Sequence, residues 1–121
     1  MEYKARSIRS FFGAKNFAES RQFYSELGFE ESWTGDKMSY VKVNDQLGVY
    51  LQDAYVKDWV DNSMIFLEVE DVNDCLEAIK KQRLTEKYEL VRLSEIRAMN
   101  GGREFFMHDP SGILWHFGQF D

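Results

Sequence analysis

Few side chains in this sequence are equipped for chemistry, and the most telling lie near the C-terminus. His108 and His116 are the only histidines and Cys75 the only cysteine. Two imidazoles on neighbouring strands, without a carboxylate between them, make a poor metal site. The plainer reading of each is a hydrogen-bonded imidazole. His116 carries more weight, because strand alternation points it away from Trp115 and Phe117. Cys75 falls on an apolar helical face, which argues against a reactive thiolate. No Ser/His/Asp arrangement has motif support. Gly101-Gly102 is too short, and lacks the following helix, to cradle a phosphate.

Arg9 is the least ordinary charged residue, since it falls inside an expected strand. A buried arginine needs a carboxylate or an anionic ligand. An ion pair with Glu68 or Glu104 across the sheet is one reading, and recognition of a ligand carboxylate or phosphate is the other. Glu68 either balances Arg9 or receives a cationic ligand. Phe11, Trp33, Tyr50, Trp59, Phe66 and Phe106 are singly ordinary core residues. Together they can wall a dry groove for flat or cationic ligands.

Composition narrows the class of partner. The formal net charge is −6, which argues against a nucleic-acid binder, because phosphate contacts demand clustered Lys and Arg. It suits cationic small molecules, or simply solubility. Hydrophobic residues make up 44%, enough for a core, yet no apolar run approaches the ~20 residues of a membrane-spanning helix. The start, Met-Glu-Tyr-Lys-Ala-Arg, lacks an apolar signal region, so a cytoplasmic protein is expected. One cysteine permits no internal disulfide and fits a reducing compartment.

The elements that must position these residues repeat. Ser7 to Gly13 reads as a strand. Asn16 begins an amphipathic helix with Phe17, Phe23, Tyr24 and Leu27 on one stripe and Gly28 after its end. Strands follow at Phe29 to Thr34, Met38 to Val43 and Leu47 to Gln52. After a linker, Asp53 to Asn62, the order recurs. Met64 to Val69 is a strand, and Asp71 caps a helix with Val72, Cys75, Leu76 and Ile79 on its buried face. Strands near Tyr88 to Leu93, Arg103 to His108 and Ile113 to Phe120 complete it; the alternative for the first is a later run towards Met99, because Arg92 to Met99 alternates poorly. The last two flank Asp109-Pro110-Ser111-Gly112, a tight turn with the only proline of the chain. The expectation is one α+β domain of two βαβββ modules, about 1–54 and 63–121. They form a curved mixed sheet with helices on its outer face.

Three stretches resemble the vicinal oxygen chelate superfamily of glyoxalases, bleomycin resistance proteins and ring-cleaving dioxygenases. They are Phe23-Tyr24 with Leu27-Gly28-Phe29, the run Phe66 to Val72, and the Asp109-Pro-Ser-Gly112 hairpin with its Trp-x-Phe-Gly-Gln ending. In metal-dependent members the resemblance implies ligands from the first, fourth, fifth and eighth strands. Those positions here are Arg9, Tyr50 or Gln52, Met64 and His116. Arginine has no lone pair to give, and methionine is a soft, weak ligand for such ions. The resemblance therefore implies a metal-free binder like the bleomycin resistance proteins, with no catalytic residue and no cofactor. It would be a homodimer sequestering a drug in a groove between subunits. A metal-dependent glyoxalase-type lyase or thiol transferase is the alternative. The expected ligand-binding set is Arg9, Phe11, Trp33, Tyr50, Gln52, Trp59, Met64, Phe66, Glu68, Phe106 and His116.

Overall fold

Asn16 and Asp71 start the two long helices in the same way. Each side chain accepts the backbone N–H three residues on, from Glu19 and from Asp74, both at 3.0 Å. A computed structural model describes all 121 residues. The first half contains β1 (Phe11–Gly13), α1 (Phe17–Leu27), β2 (Glu30–Thr34), β3 (Met38–Lys42) and β4 (Gly48–Gln52). A short α2 (Lys57–Asp61) follows. The second half contains β5 (Met64–Glu68), α3 (Val72–Lys81), α4 (Leu84–Lys87), β6 (Arg92–Leu93), β7 (Arg97–Met99), β8 (Gly102–His108) and β9 (Leu114–Phe120).

The class is α+β, and the strands divide into two mixed sheets. The first has the order β1-β4-β3-β2 and the second β5-β9-β8-β6, with β7 also on β8. In each sheet the strand before the long helix runs parallel to the last strand of its half, and all other pairings are antiparallel. Alternation sends Phe12, Val41, Val49 and Leu51 of the first sheet inward, with Phe105, Met107, Trp115 and Phe117 of the second. They join Phe23, Tyr24, Leu27, Val72, Leu76 and Ile79 of the helices in one cluster of 19 buried residues. Cys75 packs against this cluster, half-buried, and burial raises its thiol pKa.

The two halves are joined by a buried polar relay. The Trp115 indole N–H donates to the Tyr24 hydroxyl at 2.9 Å, and that hydroxyl donates to Asp109 Oδ2 at 2.7 Å. The other carboxylate oxygen, Oδ1, accepts the N–H groups of Ser111, Gly112 and Ile113 at 2.8–2.9 Å. Ser111 Oγ in turn accepts from Lys15 N at 2.9 Å, just before α1. The Asp-Pro-Ser-Gly turn therefore anchors α1 as well as linking two strands. Gly112 holds a φ of +105°, which an L side chain adopts only with strain. Gln119, two residues past Phe117, accepts from Val72 N at the start of α3.

Several expectations are corrected. The first strand is shorter than Ser7 to Gly13. Beyond Phe11 the ladder continues only through Ser10, whose carbonyl accepts from Tyr50 N, and residues 1–10 are exposed. The linker contains α2, held by the single buried side chain of Val60. The strand expected near Tyr88 to Leu93 reduces to Arg92–Leu93, because Leu84, Tyr88 and Val91 are buried from a helical turn and its exit. β7 lies where the alternative strand towards Met99 was expected, separate from β6, with two of its three residues exposed at the sheet edge.

One surface pair governs part of the acid stability. Arg21 forks onto Glu31 at 2.7 and 2.9 Å, and Thr34 also donates to that carboxylate. The Arg21 hydrogen bonds are the main cause holding the Glu31 carboxyl down to about 2, from 4.5. A depressed carboxyl stabilises the fold above its unfolded pKa, and that contribution is lost as pH falls from 4.5 towards 2. Glu31→Gln is expected to lower Tm at pH 6 and to flatten its decline over that window, read by circular dichroism melts. An unchanged acid limb in the variant would contradict the assignment.

Candidate functional site

The faces turned away from the helices carry two rows of rings. Direct cross-strand register places Phe11, Tyr50, Tyr40 and Trp33 side by side across the first sheet. Phe11 stacks on Tyr50 with ring centres 4.7 Å apart, and Tyr50 lies 4.9 Å from Tyr40. Trp33 joins the row through a β-bulge. The register shifts between Glu31 and Trp33, so Trp33 faces Tyr40 rather than Ser39. Gly48 makes room for this row, because a Cβ there would collide with the Tyr40 ring.

In the second sheet the register aligns Phe66, His116 and Phe106. Phe66 lies roughly parallel to the His116 ring at 6.4 Å, and Phe106 meets it edge-on at 4.8 Å. Gly118 allows Phe66 to lie flat across β9, since a Cβ there would strike the ring. His116 Nδ1 is 3.1 Å from Glu104 Oε1, while its Nε2 is buried without a partner. The tautomer that donates from Nδ1 to Glu104 leaves the enclosed Nε2 as an unpaired acceptor. Arg97 lies 4.1 Å over the Phe106 ring.

The structure sorts the expected residues into separate groups. Arg9, Phe11, Trp33, Tyr50 and Gln52 belong to the first sheet's face. Met64, Phe66, Glu68, Phe106 and His116 belong to the second's. No hydrogen bond, ion pair or ring contact links the two groups. Trp59 belongs to neither; it is 73% exposed on α2.

Arg9 is corrected in both burial and partner. It is exposed, and it pairs with neither Glu68 nor Glu104. Its guanidinium donates to the Tyr50 hydroxyl at 2.8 Å and covers the Tyr40 ring at 4.2 Å. The Tyr50 hydrogen bond is the main reason its pKa rises further. Strand shortening explains the change: Arg9 precedes the paired segment, so its long side chain folds back over the row. His108 and His116 share a face but not a row, because His108 opposes Leu114.

Tyr40, Glu104 and Arg97 complete these faces. Alternation along Met38, Tyr40 and Lys42 is a signal for the first. Glu104 was visible only as a partner for Arg9, and Arg97 lies on β7, whose poor alternation gave no face for it. A cleft of about 580 Å³ does not coincide with either row. It lies between residues 65–70, along the β5 edge, and Ile8, Ser10, Val43 and residues 47–49 of the first half, with Phe66 and Glu68 as its only expected members.

The donor set does not fit a divalent metal. Tyr50 already accepts from Arg9, Met64 is soft, and Arg9 cannot ligate. No three His, Cys, Asp or Glu side chains converge anywhere in the chain.

Among solved structures, the bleomycin-binding protein of bleomycin-producing Streptomyces verticillus, complexed with copper(II)-bleomycin, superposes with a TM-score of 0.83. It is 19% identical, over 99% of this chain and 100% of that one. A bleomycin-binding protein complexed with bleomycin gives 0.81 at 16% identity, over 97% and 100%. An antibiotic-binding protein from Streptomyces sp. CB03234 gives 0.76 at 14%, over all of both chains. These likenesses concern the fold. No curated protein sequence matches the chain. The family model described as the Glyoxalase/Bleomycin resistance protein/Dioxygenase superfamily matches residues 11–117, and the chain belongs to that superfamily.

Proposed function

We propose that the chain is a non-catalytic binding protein of the cytoplasm that sequesters a cationic or aromatic drug in a groove between two copies. The observation that carries this reading is the pair of aromatic faces, one on each sheet, that a single chain leaves uncovered. Phe11 is 56% exposed, Met64 64% and Phe66 42%. Exposed aromatic rows are costly for a monomer and apt for an interface with a ligand in it. When the first face of one copy meets the second face of its partner, Arg9 and the Phe11–Trp33 row oppose Phe66, His116 and Glu104. Rings stack a planar group, and Glu68 and Glu104 attract a cation. The fold relatives that bind bleomycin support a drug as the ligand. The donor set argues against metal-dependent lyase or transferase chemistry.

A thermal-shift screen of purified protein against bleomycin, other cationic aromatic drugs and divalent metals tests this reading. Bleomycin is expected to raise Tm equally with and without EDTA. A native-state ligand adds ~2.7 kcal/mol of apparent stability at a hundredfold excess over Kd. Stoichiometric Zn, Mn or Ni in the purified protein would overturn it.

The dimer has its own test. Met64→Glu places a charge on the exposed second face, and sedimentation equilibrium is expected to show a dimer for the native chain and a monomer for the variant. A native monomer at tens of micromolar would contradict the shared groove.

A further inference from the structure

A second hollow, of about 390 Å³, reverses the charge balance of the chain. Three cations, Lys15, Lys57 and Arg92, line it against one carboxylate, Asp61. The hollow is therefore net +2 in a chain of net −6. The cations come from different elements: the loop before α1, α2 and β6. Lys57 engages Asp61 at 2.5 Å, which leaves Lys15 and Arg92 without an ion pair. The Lys15 ammonium lies 5.8 Å over the Tyr55 ring. His108, cross-strand from Arg92, also lines the hollow, and its ring has no hydrogen bond within the chain. Burial, and then the Arg92 charge, lower its pKa, so a neutral imidazole there keeps one N–H to donate. Ser111 and Gly112 of the anchored turn complete the lining.

We propose that this hollow is an anion subsite that takes a tetrahedral oxyanion, either free phosphate or the phosphate of a monoester. Arg92 offers a planar fork, Lys15 a movable point charge and His108 a neutral donor, a complementary set for such an anion. The site needs neither aromatic face. It begins two residues along β8 from Phe106, a step of roughly 7 Å. A ligand resting on the His116 row can therefore place an acidic group here, yet either site can fail without the other.

Phosphate titrations followed by amide NMR spectra test the proposal, with inorganic phosphate in one arm and phenyl phosphate in the other. Saturable shifts centred on Lys15, Arg92, His108 and Ser111 are expected. Arg92→Gln and Lys15→Gln should each weaken binding at least fivefold, and Lys42→Gln should not change it. Tighter binding of phenyl phosphate would identify an ester as the fitting ligand, and equal binding the free ion; both support the subsite. Shifts that do not saturate, or that persist unchanged in Arg92→Gln and Lys15→Gln, would overturn it.

Discussion

Asp109→Ala is expected to destabilise the chain by about 3–5 kcal/mol, because it leaves several buried donors unsatisfied at once. Asp109 is 1% exposed and accepts three backbone N–H groups and the Tyr24 hydroxyl. Alanine supplies no acceptor, and water has little access to this position. Such a loss is a large share of the ~5–15 kcal/mol that holds a typical domain. Tyr24→Phe breaks the relay at one point, orphaning the Trp115 N–H and one Asp109 lone pair, and should cost about 1–3 kcal/mol. Asp109→Asn keeps a carbonyl oxygen for the three N–H groups and should fall between. Chemical denaturation of the three variants checks the order. If Asp109→Ala costs less than Tyr24→Phe, the turn does not anchor α1 as described.

The sign of the pH effect separates this carboxylate from the surface ones. Burial is the main cause raising the Asp109 pKa above its ordinary 3.8, with the four hydrogen bonds opposing. A raised carboxyl contributes stability below its unfolded pKa and loses it as pH climbs through the folded value. Asp109 therefore does not drive acid unfolding. Glu31, and Glu26 held low first by its hydrogen bond from Lys87, act in the opposite direction.

Phe66→Ala is expected to weaken drug binding by about 2 kcal/mol, or about thirtyfold, the scale of a central aromatic anchor. The ring is half-exposed, lies flat over Gly118 and adjoins His116 and Phe120. Its removal should cost the free protein much less than a buried phenylalanine would. The result therefore reads binding rather than unfolding. Glu104→Gln should weaken the same ligand and make its affinity less sensitive to salt, because it removes a charge from the second face. Calorimetry with both variants, alongside their melting curves, checks the pair. Equal losses of affinity and stability in Phe66→Ala would contradict a role for this face in binding.

The parts of the fold legible in the residues are those with strong local chemistry. Asn16 and Asp71 cap helices, Gly28 ends one in a left-handed conformation, and the Asp109 to Gly112 turn closes the last hairpin. Period-two alternation placed Phe66 and His116 on the face opposite Leu67 and Trp115. The remainder depended on longer-range facts. α2 and α4 have no side-chain cap and only five and four residues, too short for a periodic signal. The bulge that brings Trp33 beside Tyr40 is a register event between strands, which one strand's own residues do not encode. Arg9 lacks its expected partner because the first strand begins two residues too late to bury it. Parity assigned each ring a face, but not which faces meet, and so five residues of each sheet read together as one cup.

Drug binding on the aromatic faces, as proposed, requires neither metal nor turnover. Isothermal titration of bleomycin into EDTA-treated protein, with the drug recovered and analysed afterwards, tests it most directly. Saturation at a fixed drug-to-chain ratio is predicted, with the drug chemically unchanged and the affinity reduced about thirtyfold in Phe66→Ala. Absence of saturable binding, or conversion of the drug dependent on added divalent metal, would contradict it.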